Sequence, residues 1–129
     1  MKYLSAAEIL FIHSAVIDET GGSHGLRDLG LLESAAARPR QSFANQDLYG
    51  SLEEKSAALL LGLLKNHPFI DGNKRTAVTA FGVFLRLNGV ELQAGQHELS
   101  RWVFALTKRR AEPKQLVAWV RAHSQKRNH

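Results

Sequence analysis

Residues 67–76, with the sequence HPFIDGNKRT, bring together side chains that handle phosphate chemistry in proteins. His67 carries an imidazole, the side chain best suited to take a proton from a hydroxyl near neutral pH. Asp71 offers a carboxylate that can hold Mg²⁺ against phosphates. Lys74 and Arg75 add two cations. A base, a metal ligand and two cations in one short segment are typical of phosphoryl or nucleotidyl transfer.

The same segment joins two predicted helices, and the second helix begins within it. The first amides of that helix, near Gly72, Asn73 and Lys74, have no partner inside the helix and form an anion site. Gly72 lets the backbone approach a ligand closely, and Asn73 tolerates unusual dihedral angles. Lys74 and Arg75 oppose the helix macrodipole, a local cost that a bound phosphate would reverse. The alternative is an ordinary corner between helices with a surface histidine, which would be preferred for any one of these residues taken alone.

The helices on either side of this segment are apolar on nearly every face, as helices in the middle of a bundle are. A capping box that begins at Ser51 predicts the first of them, ending at about Asn66. The second runs from about Lys74 to Asn88, and Gly89 ends it.

Four further helices are predicted, at about 6–20, 29–37, 96–108 and from 113 onwards. Ser5 opens a capping box for the first, Asp28 caps the second, and Pro113 is well placed to begin the last. The pattern predicts an all-α fold, a compact bundle of about six helices with the motif loop between the two central ones. Residues 38–50 are predicted to form a loop, and residues 90–92 have the composition of a short strand.

Length and composition limit the number of domains and the classes of site that the chain can contain. The 129 residues predict one domain over 1–129, with a frayed tail from about 124 to 129. The chain has no cysteine, which excludes a disulfide scaffold, a thiolate zinc site and a cysteine nucleophile. Its net charge of +5 favours anionic partners, although the basic clusters at 108–110 and 126–127 are interpreted as solvated helix ends.

The sequence gives no sign of membrane contact. The longest apolar run, residues 57–64, is too short to cross a bilayer. The first residues lack the apolar stretch and cleavage site of a signal peptide. We therefore expect a cytoplasmic protein.

The central segment resembles the core motif of the Fic/Doc family, H-x-F-x-[D/E]-[G/A]-N-[G/K]-R. The matching residues are His67, Phe69, Asp71, Gly72, Asn73, Lys74 and Arg75. The resemblance extends over nearly the whole chain. Residues 21–22, 25–28, 31–35 and 38–39 look like the N-terminal half of the death-on-curing (Doc) toxins, and residues 84–89 look like the family's segment after the motif.

Two positions make the sequence similar to the Doc branch of the family. Fic adenylyltransferases read G-N-G-R-x-x-R, whereas Lys74 replaces the second glycine here and Val78 replaces the second arginine. In that group the second arginine helps to hold the distal phosphates of ATP. The resemblance therefore implies a toxin of a toxin–antitoxin system, an ATP-dependent and Mg²⁺-dependent kinase that phosphorylates a threonine of elongation factor Tu and arrests translation.

The resemblance also implies four catalytic residues. His67 would deprotonate the target hydroxyl. Asp71 would bind Mg²⁺ directly or through water. Lys74 and Arg75 would bind phosphate and neutralise the charge that develops in the transition state.

Other positions take supporting roles by the same resemblance. Gly72 and Asn73 would contact phosphate together with the two cations. Phe69 would be buried and anchor the loop. Residues 38–50 would act as a flap that aligns the backbone of the target protein beside the site.

A separate inhibitor is implied as well. Fic proteins that restrain themselves carry an inhibitory helix of the form [S/T]-x-x-x-E-[G/N], and no such string occurs in this sequence. The expected partner is an antitoxin resembling Phd. The basic charge of the chain would suit an acidic, disordered segment of that partner.

Two other functions remain open at this point. One is a Fic-type adenylyltransferase, which would transfer AMP to a hydroxyl. The other is a non-catalytic basic module that engages nucleic acid through residues 108–110. The intact motif disfavours the second, so direct nucleic-acid binding is not expected.

The remaining histidines and both tryptophans are given structural interpretations. The histidines at 13, 24, 97, 123 and 129 show no metal-ligand spacing and are interpreted as surface side chains or as side chains with satisfied hydrogen bonds. Trp102 and Trp119 fall on apolar helix faces and are predicted to be part of the core.

Overall fold

A computed structural model describes residues 1–126 of the chain, apart from the side chain of Gln96. The described residues form six α-helices, in agreement with the predicted all-α bundle. The helices are α1 (Ala6–Thr20), α2 (Leu29–Ala37), α3 (Leu52–Asn66), α4 (Asn73–Leu87), α5 (Gln96–Thr107) and α6 (Pro113–Ala122).

The first three helices begin where their capping residues predict. The Ser5 side chain accepts a hydrogen bond from the amide of Glu8, and the Glu8 carboxylate accepts one from the amide of Ser5, which completes a capping box. The Asp28 carboxylate accepts from the amide of Leu31 at 2.9 Å. At α3 the box is only half formed, because the Ser51 hydroxyl accepts from the amide of Glu54 and donates to its side chain.

Helices α3 and α4 occupy the centre of the bundle, as their apolar sequences predict. Helix α3 packs against α2, α4 and α6, and α4 packs against α1 and α5. The largest fully buried side chains on these two helices are Leu59, Leu60, Leu63, Phe81, Phe84 and Leu85. Burial of such side chains is the main stabilising contribution to a domain of this kind, at roughly 1.5–3 kcal/mol each. Among residues 1–126, no helix is both long and apolar enough to pass through a bilayer.

The predicted loop at residues 38–50 contains short elements. A single 3-10 turn at Arg38–Arg40 is followed by an antiparallel hairpin of β1 (Ser42–Phe43) and β2 (Gln46–Asp47). Ala44 and Asn45 connect the strands, both with positive φ, at 52° and 66°. Two successive residues in this region give the tight turn that a two-residue hairpin loop requires.

A second two-stranded sheet joins the segment after α6 to the segment after α4. Strand β3 (Val90–Leu92) pairs antiparallel with β4 (Ser124–Lys126). The expected fraying from about residue 124 is therefore wrong for Ser124–Lys126, and residues 127–129 lie outside the described part of the chain. The β4 residues are polar, so their sequence does not predict a strand with a buried face. The pairing depends on backbone hydrogen bonds with β3, which packs on the core through Val90 and Leu92.

A buried ammonium group fastens the first hairpin to the bundle. The Lys55 side chain is 4% exposed, and its Nζ donates to the Asp47 carboxylate at 3.0 Å and to the carbonyl of Pro39 at 3.3 Å. Burial lowers the pKa of Lys55, but the hydrogen bonds with Asp47 and Tyr3 outweigh it, so that the pKa is raised overall. In the described residues, the hydrogen bonds of the hairpin run to this end of α3 and not to the segment at residues 67–76.

We predict that Asp47→Ala destabilises the protein more than Lys55→Met. Removing Asp47 leaves the ammonium group buried without its counter-charge, at a cost of about 1–3 kcal/mol. Methionine removes the charge itself and fills a similar volume, which costs less than about 1.5 kcal/mol. Urea unfolding of both variants measures the difference, and an equal or reversed order would contradict the assigned role of this ion pair.

Candidate phosphate-binding site at the start of helix α4

The segment between α3 and α4 turns sharply at two residues with left-handed backbone. His67 ends α3 with φ 47° and ψ 58°, and Gly72 precedes α4 with φ 75° and ψ 20°. Such a conformation is unusual for a histidine and easy for a glycine. The two left-handed residues thus lie at the two ends of the loop that joins α3 to α4.

The Asn73 side chain closes this corner. Its Oδ1 accepts from the amide of Phe69 at 3.0 Å, and its Nδ2 donates to the carbonyl of Phe69 at 2.9 Å. Both residues are buried, with Asn73 9% and Phe69 2% exposed. Phe69 is thus the buried anchor that was expected. The Asn73 side chain is committed to it, so only the main-chain amide of Asn73 remains for the expected phosphate contact.

Asp71 presents an ionised carboxylate next to these amides. Its Oδ1 accepts from the amide of Gly72 at 2.8 Å, and its Oδ2 accepts from the amide of Ser23 at 3.1 Å. The backbone hydrogen bonds from Ser23 and Gly72 are the main causes that lower the pKa of Asp71; burial opposes them, and the nearby Arg75 guanidinium adds a weaker lowering effect. The side chain is 47% exposed, which leaves oxygen lone pairs open toward solvent.

Arg75 and Lys74 place positive charge at the start of α4. The Arg75 guanidinium donates to the carbonyl of Gly21 at 2.9 Å and to the hydroxyl of Thr20, and it lies 3.8 Å from the Asp71 carboxylate. Lys74 is exposed. Both cations line a cleft of about 670 Å³ between α1, α4 and α5. The other residues that line it are Ile12, Ala15, Val16, Glu19, Thr20, Thr79, Ser100, Val103 and Phe104.

His67 lies at the opposite end of the corner from these cations. It is exposed and lies outside the lining of the cleft. Its backbone is nevertheless fixed, because the Arg27 side chain donates to the carbonyl of His67 at 2.7 Å and to that of Asn66 at 2.8 Å. The structure therefore fixes the main chain of His67 and leaves its imidazole exposed.

The segment of residues 21–28 supports the corner from outside. The amide of Arg27 donates to the carbonyl of Pro68 at 2.7 Å, and the amide of Ile70 donates to the carbonyl of Gly25 at 3.1 Å. A Cβ at Gly22 would lie 2.6 Å from Asp71 Oδ2, so only glycine fits there. The sequence did not predict these contacts with the corner, either for the glycines or for Arg27.

His13 is a second residue whose contacts sequence reasoning missed. It is 2% exposed in the middle of α1, and its Nε2 lies 2.8 Å from the carbonyl oxygen of Asp71. Its ring stacks on Phe69 with centroids 3.9 Å apart and planes 4° apart. Of the two interpretations given to the lone histidines, a side chain with satisfied hydrogen bonds is the correct one here.

The site fits a magnesium ion only if phosphate supplies most of the ligands. No group of three or more His, Asp or Glu side chains within residues 1–126 is arranged to hold a metal. Asp71 offers one ionised carboxylate, and Mg²⁺ is commonly held by one or two carboxylates together with substrate phosphates and water. The residues present are thus compatible with a metal that arrives with a nucleotide.

Comparison with known proteins finds a matching family model and similar proteins. Residues 3–85 match the model of the Fic/DOC family. Toxin Doc of Mycolicibacterium smegmatis (strain ATCC 700084 / mc(2)155) is 44% identical over 93 residues, covering 72% of this chain and 69% of that protein. Protein kinase doc of Escherichia phage P1 is 36% identical over 92 residues, covering 71% of this chain and 72% of that protein. The family match includes the whole corner and ends within α4.

We predict that Asn73→Ala destabilises the fold by about 2–4 kcal/mol, because it leaves the buried amide and carbonyl of Phe69 without partners. The neighbouring variant Lys74→Ala, which changes an exposed side chain, is the matched control and is expected to stay within about 0.5 kcal/mol of the unaltered protein. Urea unfolding measures both. Equal stabilities of the two variants would contradict the closing role of Asn73.

We also predict an acid-dependent contribution from Asp71. A carboxyl whose pKa is lowered by folding stabilises the protein above its ordinary pKa of 3.8, and this contribution is lost as the pH falls through the lower folded value. Asp71→Asn is therefore expected to be less stable than the unaltered protein at neutral pH, with a gap that narrows below pH 3.8. Thermal unfolding followed from neutral pH to pH 2 measures the gap, and a gap that widens on acidification would contradict the prediction.

Proposed function

Because the chain belongs to the Fic/DOC family, we propose that it is the toxin of a toxin–antitoxin system and acts as an ATP-dependent protein kinase. Two relatives support this proposal, one named Toxin Doc and the other Protein kinase doc. The observation that carries it is the start of α4, where unpaired amides, Lys74 and Arg75 lie beside the ionised Asp71. An N-terminal helix end with two added cations is suited to bind phosphate groups.

The proposed reaction is transfer of the γ-phosphoryl group of ATP to a hydroxyl. The hydroxyl oxygen bonds to the γ-phosphorus, the bond from that phosphorus to the β,γ-bridging oxygen breaks, and ADP leaves. His67 takes the hydroxyl proton, since its exposed imidazole stands at the rim of the corner. Lys74, Arg75 and the first amides of α4 bind the phosphates and neutralise the charge that develops on them.

Asp71 is the residue proposed to hold Mg²⁺. The ion, when bound, neutralises phosphate charge that the protein would otherwise meet alone. The Ser23 and Gly72 amides keep the carboxylate ionised and oriented, so no proton has to be removed before a cation binds. The Arg75 guanidinium lies 3.8 Å from the Asp71 carboxylate and would also neutralise phosphate charge there.

The proposed target is a threonine of elongation factor Tu in the cytoplasm, and the proposed consequence is arrest of translation. Support comes from the resemblance of the motif to that of the Doc toxins. Residues 38–50 are proposed to be the flap that aligns the target. Their hairpin exposes Phe43 and Leu48, which are 77% and 56% exposed and offer an apolar surface to a protein substrate.

Phosphoryl transfer is preferred over AMP transfer because of position 78. The adenylyltransferase pattern has its second arginine there, and the residue in this chain is Val78, which is 7% exposed and belongs to the core. The distal phosphates would therefore lack that arginine. Lys74 instead adds a cation at the first turn of α4, where a γ-phosphate would need it.

We propose a Phd-like antitoxin as the partner that restrains the toxin. The cleft beside Lys74 and Arg75 combines these cations with the half-exposed Phe104 and the apolar Ile12 and Val103. Such a lining suits a segment that carries both carboxylates and apolar side chains. The net charge of +5 gives the same preference for an acidic partner.

We predict that purified protein incubated with elongation factor Tu and γ-labelled ATP transfers label to the factor, and that α-labelled ATP transfers none. His67→Ala is expected to reduce transfer at least about 100-fold, since general base catalysis contributes roughly 10²–10⁴-fold. His97→Ala, a change of an exposed histidine on α5, is the matched control.

The outcomes separate the candidate reactions. Retention of the α-label would contradict the kinase proposal in favour of AMP transfer, and mass spectrometry of a treated translation extract distinguishes the two adducts by mass. Full transfer by the His67→Ala variant would remove the assigned base. Absence of a complex with the product of an adjacent gene would remove the antitoxin.

A further inference from the structure

His13 lies beneath the motif corner and has no part in the proposed reaction. It is separated from Asp71 by 58 residues in the sequence, yet its Nε2 lies 2.8 Å from the carbonyl oxygen of Asp71. A carbonyl oxygen only accepts hydrogen bonds, so Nε2 carries the proton and donates it. The contact therefore assigns the tautomer of a buried imidazole.

This hydrogen bond acts on one particular peptide unit. The carbonyl of Asp71 and the amide of Gly72 belong to the same plane, because the peptide bond does not rotate freely. The oxygen end of the plane is held by His13, and the amide end donates to Asp71 Oδ1 at 2.8 Å. The hydrogen bond that holds the Asp71 carbonyl therefore also orients the Gly72 amide, and through that amide the Asp71 carboxylate.

The ring of His13 fixes the other side of the corner. It lies parallel to Phe69, with centroids 3.9 Å apart, and Phe69 is the residue to which Asn73 is bonded. Side chains of α1 also lie close to Gly72, where a Cβ would lie 2.8 Å from Ile17 Cδ1 and 3.8 Å from His13 Nε2. The corner therefore packs directly on α1 at Gly72.

We propose that His13 is a positioning residue for phosphoryl transfer. By holding the peptide plane between Asp71 and Gly72, it aims the Asp71 carboxylate and the first amides of α4 at the bound phosphates. This inference rests on the proposed function and adds a residue of α1 to it. His13 touches no reacting atom and works through the backbone of the motif.

Three substitutions separate the hydrogen bond from the stacking. His13→Gln keeps a donor of suitable reach and loses the ring. His13→Met has nearly the length of glutamine without the donor. His13→Phe keeps a flat ring against Phe69 and also lacks the donor. His97→Phe, on the exposed surface of α5, is the matched control for adding a phenyl ring.

We expect His13→Met and His13→Phe to lower kcat by about 10- to 100-fold, the range that misplacement of a catalytic group by about 1 Å produces. His13→Gln is expected to stay within about 5-fold of the unaltered protein, and KM for the protein target is expected to remain unchanged in all three, since its binding surface is not involved. Circular dichroism and thermal unfolding check that each variant is folded. If His13→Phe does not fold, the Gln and Met variants carry the comparison.

A second measurement does not depend on activity. The amide resonance of Gly72 in a ¹H–¹⁵N spectrum reports the orientation of the peptide plane. It is expected to shift in the Met and Phe variants and to return toward its original position in the Gln variant. If the unaltered protein has no kinase activity, the proposed function is contradicted, whereas the spectroscopic test of His13 can still be carried out. The positioning role would be overturned if the folded Met and Phe variants kept an unaltered kcat and an unaltered Gly72 resonance. It would also be overturned if the Gln variant showed the same loss of kcat and the same shift of the Gly72 resonance as the Met variant.

Discussion

The two hydrogen bonds between the Asn73 side chain and the main chain of Phe69 hold the corner on which the candidate site depends. They join Phe69, in the loop before α4, to Asn73, the first residue of that helix. The position at which α4 begins is therefore fixed relative to the loop. Burial of apolar side chains on α3 and α4 has no preferred direction. The Asn73 amide does have one, because displacing it leaves the buried amide and carbonyl of Phe69 without partners. The exposed side chains of the site are then placed by a buried polar contact.

Elements distant in sequence complete the corner from three directions. Arg27 binds the carbonyls at the end of α3, Gly22 leaves room for the Asp71 carboxylate, and His13 supports the loop from α1. Lys74 and Arg75 sit where the helix macrodipole disfavours them. The fold tolerates this cost because other side chains of α3 and α4 form the buried core. A bound phosphate would turn the same cost into binding energy.

Much of the fold follows from local sequence signals. Ser5, Asp28 and Ser51 each cap the helix that they predict, since capping depends on neighbours within one turn. The first hairpin and strand β4 were not predicted, because these strands are short and largely polar and are held by contacts with other elements, such as the one from Lys55 on α3. For the site, the residue types of the motif predicted phosphate chemistry and placed it between two helices, where the structure has the corner that joins α3 to α4. They did not indicate that the Asn73 amide faces inward, since an amide serves equally well as a ligand or as a structural bridge.

A crystal structure with Mg²⁺ and a non-hydrolysable ATP analogue tests the central claim most directly. The proposed function predicts that the γ-phosphate lies against the first amides of α4, within hydrogen-bond distance of Lys74 and Arg75, and that Asp71 would hold the ion directly or through water. The imidazole of His67 would then face the γ-phosphorus from the side on which a hydroxyl must approach. An α-phosphate in that position, or a nucleotide bound away from the start of α4, would contradict the assignment of this corner as the site of phosphoryl transfer.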